Sequence, residues 1–314
     1  MILKSWKKYL PIIGILLFTY ILLSIDISQV FLEIKNINYY FLSTAFIFIL
    51  FMLIVQTFKW YLIAVFQEIK ISFKDAFNIN LISNFYGFVT PSKIGGIVRA
   101  EYLKKYTDDK NIGKGLFNFS IDKMLDLSSI VLITIMFSFV FKNKINLPIN
   151  LFIILFLTFA ILIGFFINKK RSKWALGFIY RKLIHGKMKT KARITFESFY
   201  DNIPKKRFFI IFFGINLISW IFIYLIHYFI GLSLGINLEM IHYLAIMPLG
   251  TIVSMIPISI NGLGTREATL ISLFSIFNIS AAKVFSMSLL AYVLVGIIPS
   301  IIGIFLIYKK NLIE

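Results

Sequence analysis

Six long apolar runs, at 9–25, 39–66, 116–141, 147–167, 208–232 and 284–307, constrain this chain more than any other feature. A helix of about 20 apolar residues crosses the ~30 Å hydrocarbon core of a bilayer, so each run reads as a membrane span. Two further apolar stretches, 77–98 and 241–280, are interrupted by Pro and Gly. The first run follows Lys4, Lys7 and Lys8 and could pass for a signal peptide. No small-residue cleavage site follows it, so it is expected to stay as a helix.

Composition agrees with this reading. Apolar residues make up 59% of the 314 and charged residues 15%, against about 45–50% and about 25% in a soluble domain. A soluble enzyme, a disordered chain and a disulfide scaffold are therefore excluded. There is no Cys, which removes thiolate metal sites and a Cys nucleophile. His185, His227 and His242 have no metal-ligand spacing, and neither a metal nor a cofactor is expected. The net charge of +19 would suggest nucleic acid in a soluble protein. Here the basic residues collect in loops between apolar runs, as orientation in a membrane requires, and no nucleic acid is expected.

Lys and Arg set the orientation. The segment 168–207 carries thirteen of them against Glu197 and Asp201, which marks it as cytoplasmic. The N-terminus and the C-terminus, with Lys309 and Lys310, are expected on the same side. Loop 26–38 can lie outside. Trp6, Tyr39, Tyr40, Trp60, Trp174 and Tyr308 fall near span ends and read as interface anchors. Within the basic loop, Trp174, Phe178, Tyr180 and Ile184 with Arg181 and Lys182 suggest either an amphipathic helix on the inner leaflet or a plain basic loop.

Counting crossings gives the topology. Helix 39–66 runs inward, and 99–115 holds Arg99, Lys104, Lys105, Lys110 and Lys114, so it too belongs inside. The stretch 77–98 must then begin and end on one side, as a re-entrant hairpin broken near Pro91. By the same logic 241–280 is a second hairpin, entering from the outside and broken between Pro257 and Gly264. The expected fold is an all-α polytopic membrane protein, with about six spanning helices plus two re-entrant helical hairpins. Residues 39–141 and 208–307 form an inverted-topology repeat, an arrangement common in secondary transporters. The whole chain, 1–314, reads as one membrane domain.

The breaks carry a repeated motif. The first runs Pro91-Ser-Lys-Ile-Gly95-Gly96-Ile-Val-Arg99-Ala-Glu101 and the second Pro257-Ile-Ser-Ile-Asn261-Gly262-Leu-Gly264-Thr-Arg266-Glu267. Pro ends one half-helix by removing a donor. Gly permits the turn, and the next half-helix begins with free amides and an adjacent Arg, a combination suited to phosphate or carboxylate. The alternative is a purely structural break in which Arg and Glu satisfy each other. Neither motif is a nucleotide-binding loop.

Helix 116–141 also carries Asp122, Lys123 and Asp126 within its apolar run. Asp122 and Asp126 share a face and are expected to line a polar cavity, paired with Arg99, Lys123 or Arg266; the alternative is headgroup level. Lys59 beside Trp60 is expected to snorkel to the inner headgroups. His227 reads as a packed or cavity-facing polar residue rather than a proton carrier.

Lys59-Trp60, Asn84, Pro91 to Arg99, Asp122-Lys123 with Asp126, and above all Asn261-Gly-Leu-Gly-Thr-Arg-Glu267 carry a resemblance over nearly the whole chain. The sequence resembles the membrane region of lysylphosphatidylglycerol synthases, the flippase-like domain of multiple peptide resistance factors, and its stand-alone relatives. The resemblance implies a cell-membrane protein that translocates an anionic or modified lipid, or a lipid-linked sugar. On that basis Arg99 and Arg266 would hold a phosphate. Asp122, Asp126, Glu101 and Glu267 would orient those cations or meet a cationic headgroup. Asn84, Lys123, Asn261 and the break residues Pro91, Gly95, Gly96, Gly262 and Gly264 would complete the headgroup site.

Two departures set the chain apart: Lys123 stands at a usual Arg, and Ala291 at a position where the family often has Arg. No soluble synthase domain is expected, and hence no lysine transfer by this chain. A membrane-embedded transferase using Asp122 or Asp126 as base, an accessory subunit of a separate synthase or glycosyltransferase, and a small-ion transporter are the alternatives.

Overall fold

In a computed structural model that describes residues 10–142, 144–175 and 187–311, the described residues are helical, with one isolated antiparallel bridge as the extended pairing. The helices are α1 (Leu10–Ser24), α2 (Ile27–Lys35), α3 (Tyr39–Phe66), α4 (Phe73–Phe88), α5 (Val98–Leu103), α6 (Gly113–Phe137), α7 (Ile149–Phe166), α8 (Lys187–Phe199), α9 (Phe208–Ser233), α10 (Met240–Met255), α11 (Thr265–Ser275), α12 (Ala281–Ala291) and α13 (Ile298–Asn311). Short 3₁₀ turns flank α5 and follow α6, and a π turn (Tyr292–Ile297) joins α12 to α13.

Five segments are long and apolar enough to cross a membrane: Tyr39–Phe66, Gly113–Phe141, Ile149–Phe166, Phe208–Ser233 and Ala281–Lys309. They match five of the six expected spans. The sixth, at 9–25, corresponds to α1, which has 15 described residues. The protein is therefore a multi-pass membrane protein. Polar side chains start several helices: Asn38 accepts from the Tyr40 amide at 3.0 Å, Ser72 from Asp75 at 3.1 Å and Asp26 from Ser28 at 2.9 Å.

The two interrupted stretches form short helices. α4 and α10 have 16 residues each, about 24 Å of rise, which falls short of the bilayer core. Beyond each lies a non-helical turn and then a new helix, α5 or α11. Packing relates the two halves reciprocally. α3 lies against α9, α4 packs on α13, and α10 packs on α6. The first helices of segments 39–141 and 208–307 thus meet, and each short helix docks on the last helix of the other segment.

The main apolar core fills this arrangement with Met52, Ile130, Tyr224, Ile246 and Phe274, all buried. By contrast α7 buries only Phe152, so its apolar surface faces outward, as expected of a helix against lipid. Tyr39, Tyr40, Trp174 and Tyr308 are exposed at helix ends, consistent with interface anchors. Trp60 is not one: it is 1% exposed and packed inside. Trp6, Phe178, Tyr180, Arg181, Lys182, Ile184 and His185 lie outside the described residues. On the basic loop, α8 packs against α6, with Lys169 paired to Glu197 and Lys114 to Asp201 at 2.9 Å.

Candidate functional site

Two polar clusters sit inside the helix bundle, one behind each break. The first is built on α3, α5, α6 and α9. Asp122 and Asp126 are one turn apart on α6 and both are buried. Lys59 Nζ lies 2.7 Å from Asp122 Oδ1 and 2.8 Å from Asp126 Oδ1. It also donates to Asn216 Oδ1 at 2.5 Å, and Asn216 Nδ2 donates to Ser129 Oγ at 2.7 Å. Arg99 Nη2 donates to Asp122 Oδ2 at 2.9 Å, and Lys123 Nζ to Asp126 Oδ2 at 2.9 Å. Trp220 Nε1 donates to Asp126 Oδ1 at 3.2 Å. Every oxygen of both carboxylates therefore faces a cation.

The depth follows from the sequence. Lys59 is seven residues from the end of α3, and Asp122 nine from the start of α6. At 1.5 Å per residue these are about 10 and 14 Å of rise from those ends of the helices. Charges placed within a membrane-spanning bundle usually face its interior and pair with one another. Lys59 therefore does not snorkel to the headgroups. Its ammonium turns inward because two carboxylates and an amide offer more than the interface does.

Trp60 holds the Arg99 side of the cluster. The Arg99 guanidinium sits 4.9 Å from the centre of the Trp60 ring and 5.6 Å from that of Phe119, within cation–π range. Trp60 Nε1 donates to Asn80 on α4 at 3.3 Å, and its carbonyl accepts from Asn118 on α6 at 2.9 Å. Arg99 is 3% exposed, so it is a buried tie between α5 and α6 and not an open ligand. Glu101, two residues on and so on the other side of the helix, is exposed and paired with Lys104 at 3.1 Å, away from the cluster it was expected to join.

The second cluster lies at the start of α11. Glu267 is buried. Its Oε2 accepts from the Gly264 amide at 2.7 Å; its Oε1 accepts from Arg266 Nη2 at 2.9 Å and from Ser288 Oγ at 2.7 Å. Ser288 Oγ also accepts from Arg266 at 3.0 Å. A helix start with a Glu three residues in is a capping arrangement. The amide expected to be free for a ligand is thus taken by the protein's own carboxylate. Arg266 remains 16% exposed along its side chain, with its guanidinium 5.7 Å from the Tyr292 ring on the π turn. Of the three partners expected for Asp122 and Asp126, Arg99 and Lys123 pair with them and Arg266 does not. Each break instead keeps its own carboxylate partner.

The breaks touch. Pro91 and Ile260 form the antiparallel bridge, and Ser92 Oγ donates to the Met255 carbonyl at 2.8 Å. Asn261, Gly262 and Gly264 have φ of 49°, 80° and 81°, and Ser92 and Lys93 of 54° and 55°. Two successive non-glycine residues in the left-handed region cost on the order of 1–3 kcal/mol each and occur where function or surrounding structure demands it. A Cβ on Gly95 would fall 2.1 Å from the Tyr86 carbonyl, so the first break closes only over Gly. Gly96 is held by Ser83 Oγ, which donates to its carbonyl at 2.8 Å. Asn84 is half-buried on α4. Lys93 is exposed, and Lys123, Asp126 and Arg266 lie within electrostatic reach of it. His227 on α9 is buried, with Nδ1 2.8 Å from the Ile223 carbonyl. In that contact Nδ1 carries the proton and donates to the carbonyl.

Sequence reasoning missed Asn216, Trp220, Ser129 and Ser288. The first two had a visible signal: Asn216, Trp220, Tyr224 and His227 recur at helical spacing through an otherwise apolar span. A separate cavity of about 790 Å³ lies between α6, α7 and α8, lined chiefly by apolar side chains such as Met124, Phe166 and Phe196. It is on the opposite face of α6 from the paired charges. Among the described residues no group of three His, Asp or Glu could hold a metal ion.

Known proteins place the chain. A UPF0104 membrane protein of Methanocaldococcus jannaschii is 26% identical over 312 residues, spanning 94% of this chain and 92% of that one. A UPF0104 membrane protein of Methanothermobacter thermautotrophicus is 24% identical over 287 residues, covering 84% and 82%. Residues 11–303 match the sequence profile described as the lysylphosphatidylglycerol synthase TM region, and the chain belongs to that family.

Proposed function

We propose that this protein is a lipid translocase, moving an anionic or modified polar lipid or a lipid-linked sugar between the leaflets of the cell membrane. The observation that carries the reading is the contact between the breaks, Pro91 with Ile260 and Ser92 with Met255. Partially exposed cations from both halves, Lys123 and Arg266, gather behind it. A headgroup crossing the hydrocarbon needs such a polar path, because the bilayer centre is costly for charge.

The reciprocal docking of α4 on α13 and α10 on α6 supports two inverted halves whose hairpins act as opposite gates. The thirteen Lys and Arg of segment 168–207 favour a cytoplasmic side for that segment in this reading. A transferase using Asp122 or Asp126 as base is less well supported. A base needs a lone pair turned to substrate, whereas both carboxylates are engaged by cations on each oxygen. An accessory role beside a separate synthase would show as co-purification without lipid movement.

The test is fluorescent-lipid translocation in proteoliposomes. The native protein moves lipid, and Arg266→Ala abolishes movement while inserting normally. Full activity of that variant overturns the reading.

A further inference from the structure

Five cations and three carboxylates lie in or beside the two clusters. Asp122 faces Arg99 and Lys59, Asp126 faces Lys59 and Lys123, and Glu267 faces Arg266. Lys93 has no ion-pair partner among the described residues. Its neighbours Lys123 and Arg266 are cations, and Asp126 is the nearby carboxylate already shared by two lysines. In and around the two clusters the cations therefore outnumber the carboxylates by two, and Lys93 and Lys123 are the exposed ones among them.

That excess is not spread evenly. The pairs Lys59 with Asp122 and Arg99 with Asp122 are sealed, with side-chain exposures of 4% and 6%. The accessible cations are Lys93, Lys123, with 38% of its side chain exposed, and Arg266. They come from the first break, from α6 and from the second break, and the bridge between Pro91 and Ile260 holds the two breaks together. An excess of cations within a membrane protein persists where water or a bound counter-charge compensates it.

We propose that a ligand held between the two breaks carries at least two negative charges on its phosphate, as a terminal lipid phosphomonoester or a lipid diphosphate does. A phosphomonoester carries about −1.5 to −2 at neutral pH, which matches the excess. A phosphodiester such as phosphatidylglycerol supplies one charge and leaves a cation uncompensated. A lysine ester of that lipid is a net cation and adds to the excess. Lys93, Lys123 and Arg266 are the contacts, and Lys suits the task as a compact point charge that needs no bidentate geometry. The inference rests on the reading of the breaks as a lipid headgroup site, but it concerns charge and can be tested by binding alone.

The experiment is lipid binding to purified full-length protein in nanodiscs, read by native mass spectrometry. The probes are phosphatidate, a polyprenyl phosphate, a polyprenyl diphosphate, phosphatidylglycerol and its lysyl ester, with inorganic phosphate and pyrophosphate as soluble competitors. The dianionic lipids are expected to bind at least tenfold tighter than phosphatidylglycerol, and the lysyl ester weakest. Lys93→Gln, at an exposed and unpaired position, narrows the gap to within about threefold, while Lys93→Arg keeps it. The monoester and diphosphate arms identify the source of the two charges. Displacement by inorganic phosphate or pyrophosphate at equal concentration would make the occupant a soluble anion and overturn the lipid assignment. Equal or tighter binding of phosphatidylglycerol or its lysyl ester, no selective binding, or an unchanged preference in Lys93→Gln overturns the charge assignment. Selective binding without movement in proteoliposomes would defeat the translocase reading and leave this inference standing.

Discussion

Pro91 pairs with Ile260 as an antiparallel bridge, and beside it the Ser92 hydroxyl reaches the Met255 carbonyl at 2.8 Å. Segments that the chain keeps far apart thus meet between the short helices. Bridge partners in antiparallel pairing have Cα atoms about 4.5–5.5 Å apart, inside the range of about 4.4–6.8 Å that a disulfide spans. The chain has no Cys, so an introduced pair reports without background. Pro91→Cys with Ile260→Cys should close on mild oxidation, arrest lipid movement, and recover it on reduction. Full movement in the cross-linked protein would show that the breaks do not separate during transport.

The Lys59 ammonium sits between Asp122 and Asp126 and against Asn216. Removing one member of a buried ion network costs about 3–5 kcal/mol, because it strands the partners. Lys59→Met is expected to lower the melting temperature in detergent by many degrees. Asn216→Ala, which deletes one hydrogen-bonding amide, should cost about 1–3 kcal/mol and shift melting less. Thermal unfolding followed by tryptophan fluorescence ranks the two. Equal effects would mean that the ion pairs are not what holds α3, α6 and α9 in register.

This cluster also marks how far the sequence could be read. Membrane class and five spans follow from apolar length alone, since hydrocarbon thickness fixes helix length. The breaks follow from Pro and Gly, and their positions from the charge count of the flanking loops. Lys59 was misread for a physical reason. Seven residues from a helix end, a lysine can reach either the interface or an interior acid, and only the packing of α6 against α3 places Asp122 and Asp126 within 3 Å. Arg99 and Arg266 were read as equivalents because their motifs match. In space one is sealed between Trp60 and Phe119, and the other stays partly open beside Tyr292. Sequence alone does not say which ring stacks on which cation.

Surface pairs give a contrasting expectation. Lys70 and Asp108 lie 2.9 Å apart, and both are about three-quarters exposed. The hydrogen bond from Lys70 holds the Asp108 carboxyl below its ordinary range. A depressed carboxyl stabilises at neutral pH and loses that contribution as pH falls through its folded-state value. In solvent the pair is screened and adds little. Lys70→Ala should leave the melting temperature at pH 7 unchanged and its pH dependence nearly so. A drop comparable to that of Lys59→Met would contradict the division between sealed and solvated pairs.

Gly262 tests the backbone of the second break directly. Its φ is 80°, in the region L residues avoid, and an added Cβ would sit 2.4 Å from Ser254 Cβ. Gly262→Ala therefore meets two obstacles: left-handed strain of on the order of 1–3 kcal/mol, and a clash with α10. Ser254→Gly relieves only the second. The double variant should recover part of the stability lost by Gly262→Ala and not all of it, because the dihedral strain remains. Melting temperatures of the two variants, each compared with native protein, separate the contributions. Complete recovery in the double variant would show that the turn can re-form with φ below zero, and that the placement of Arg266 does not depend on Gly262.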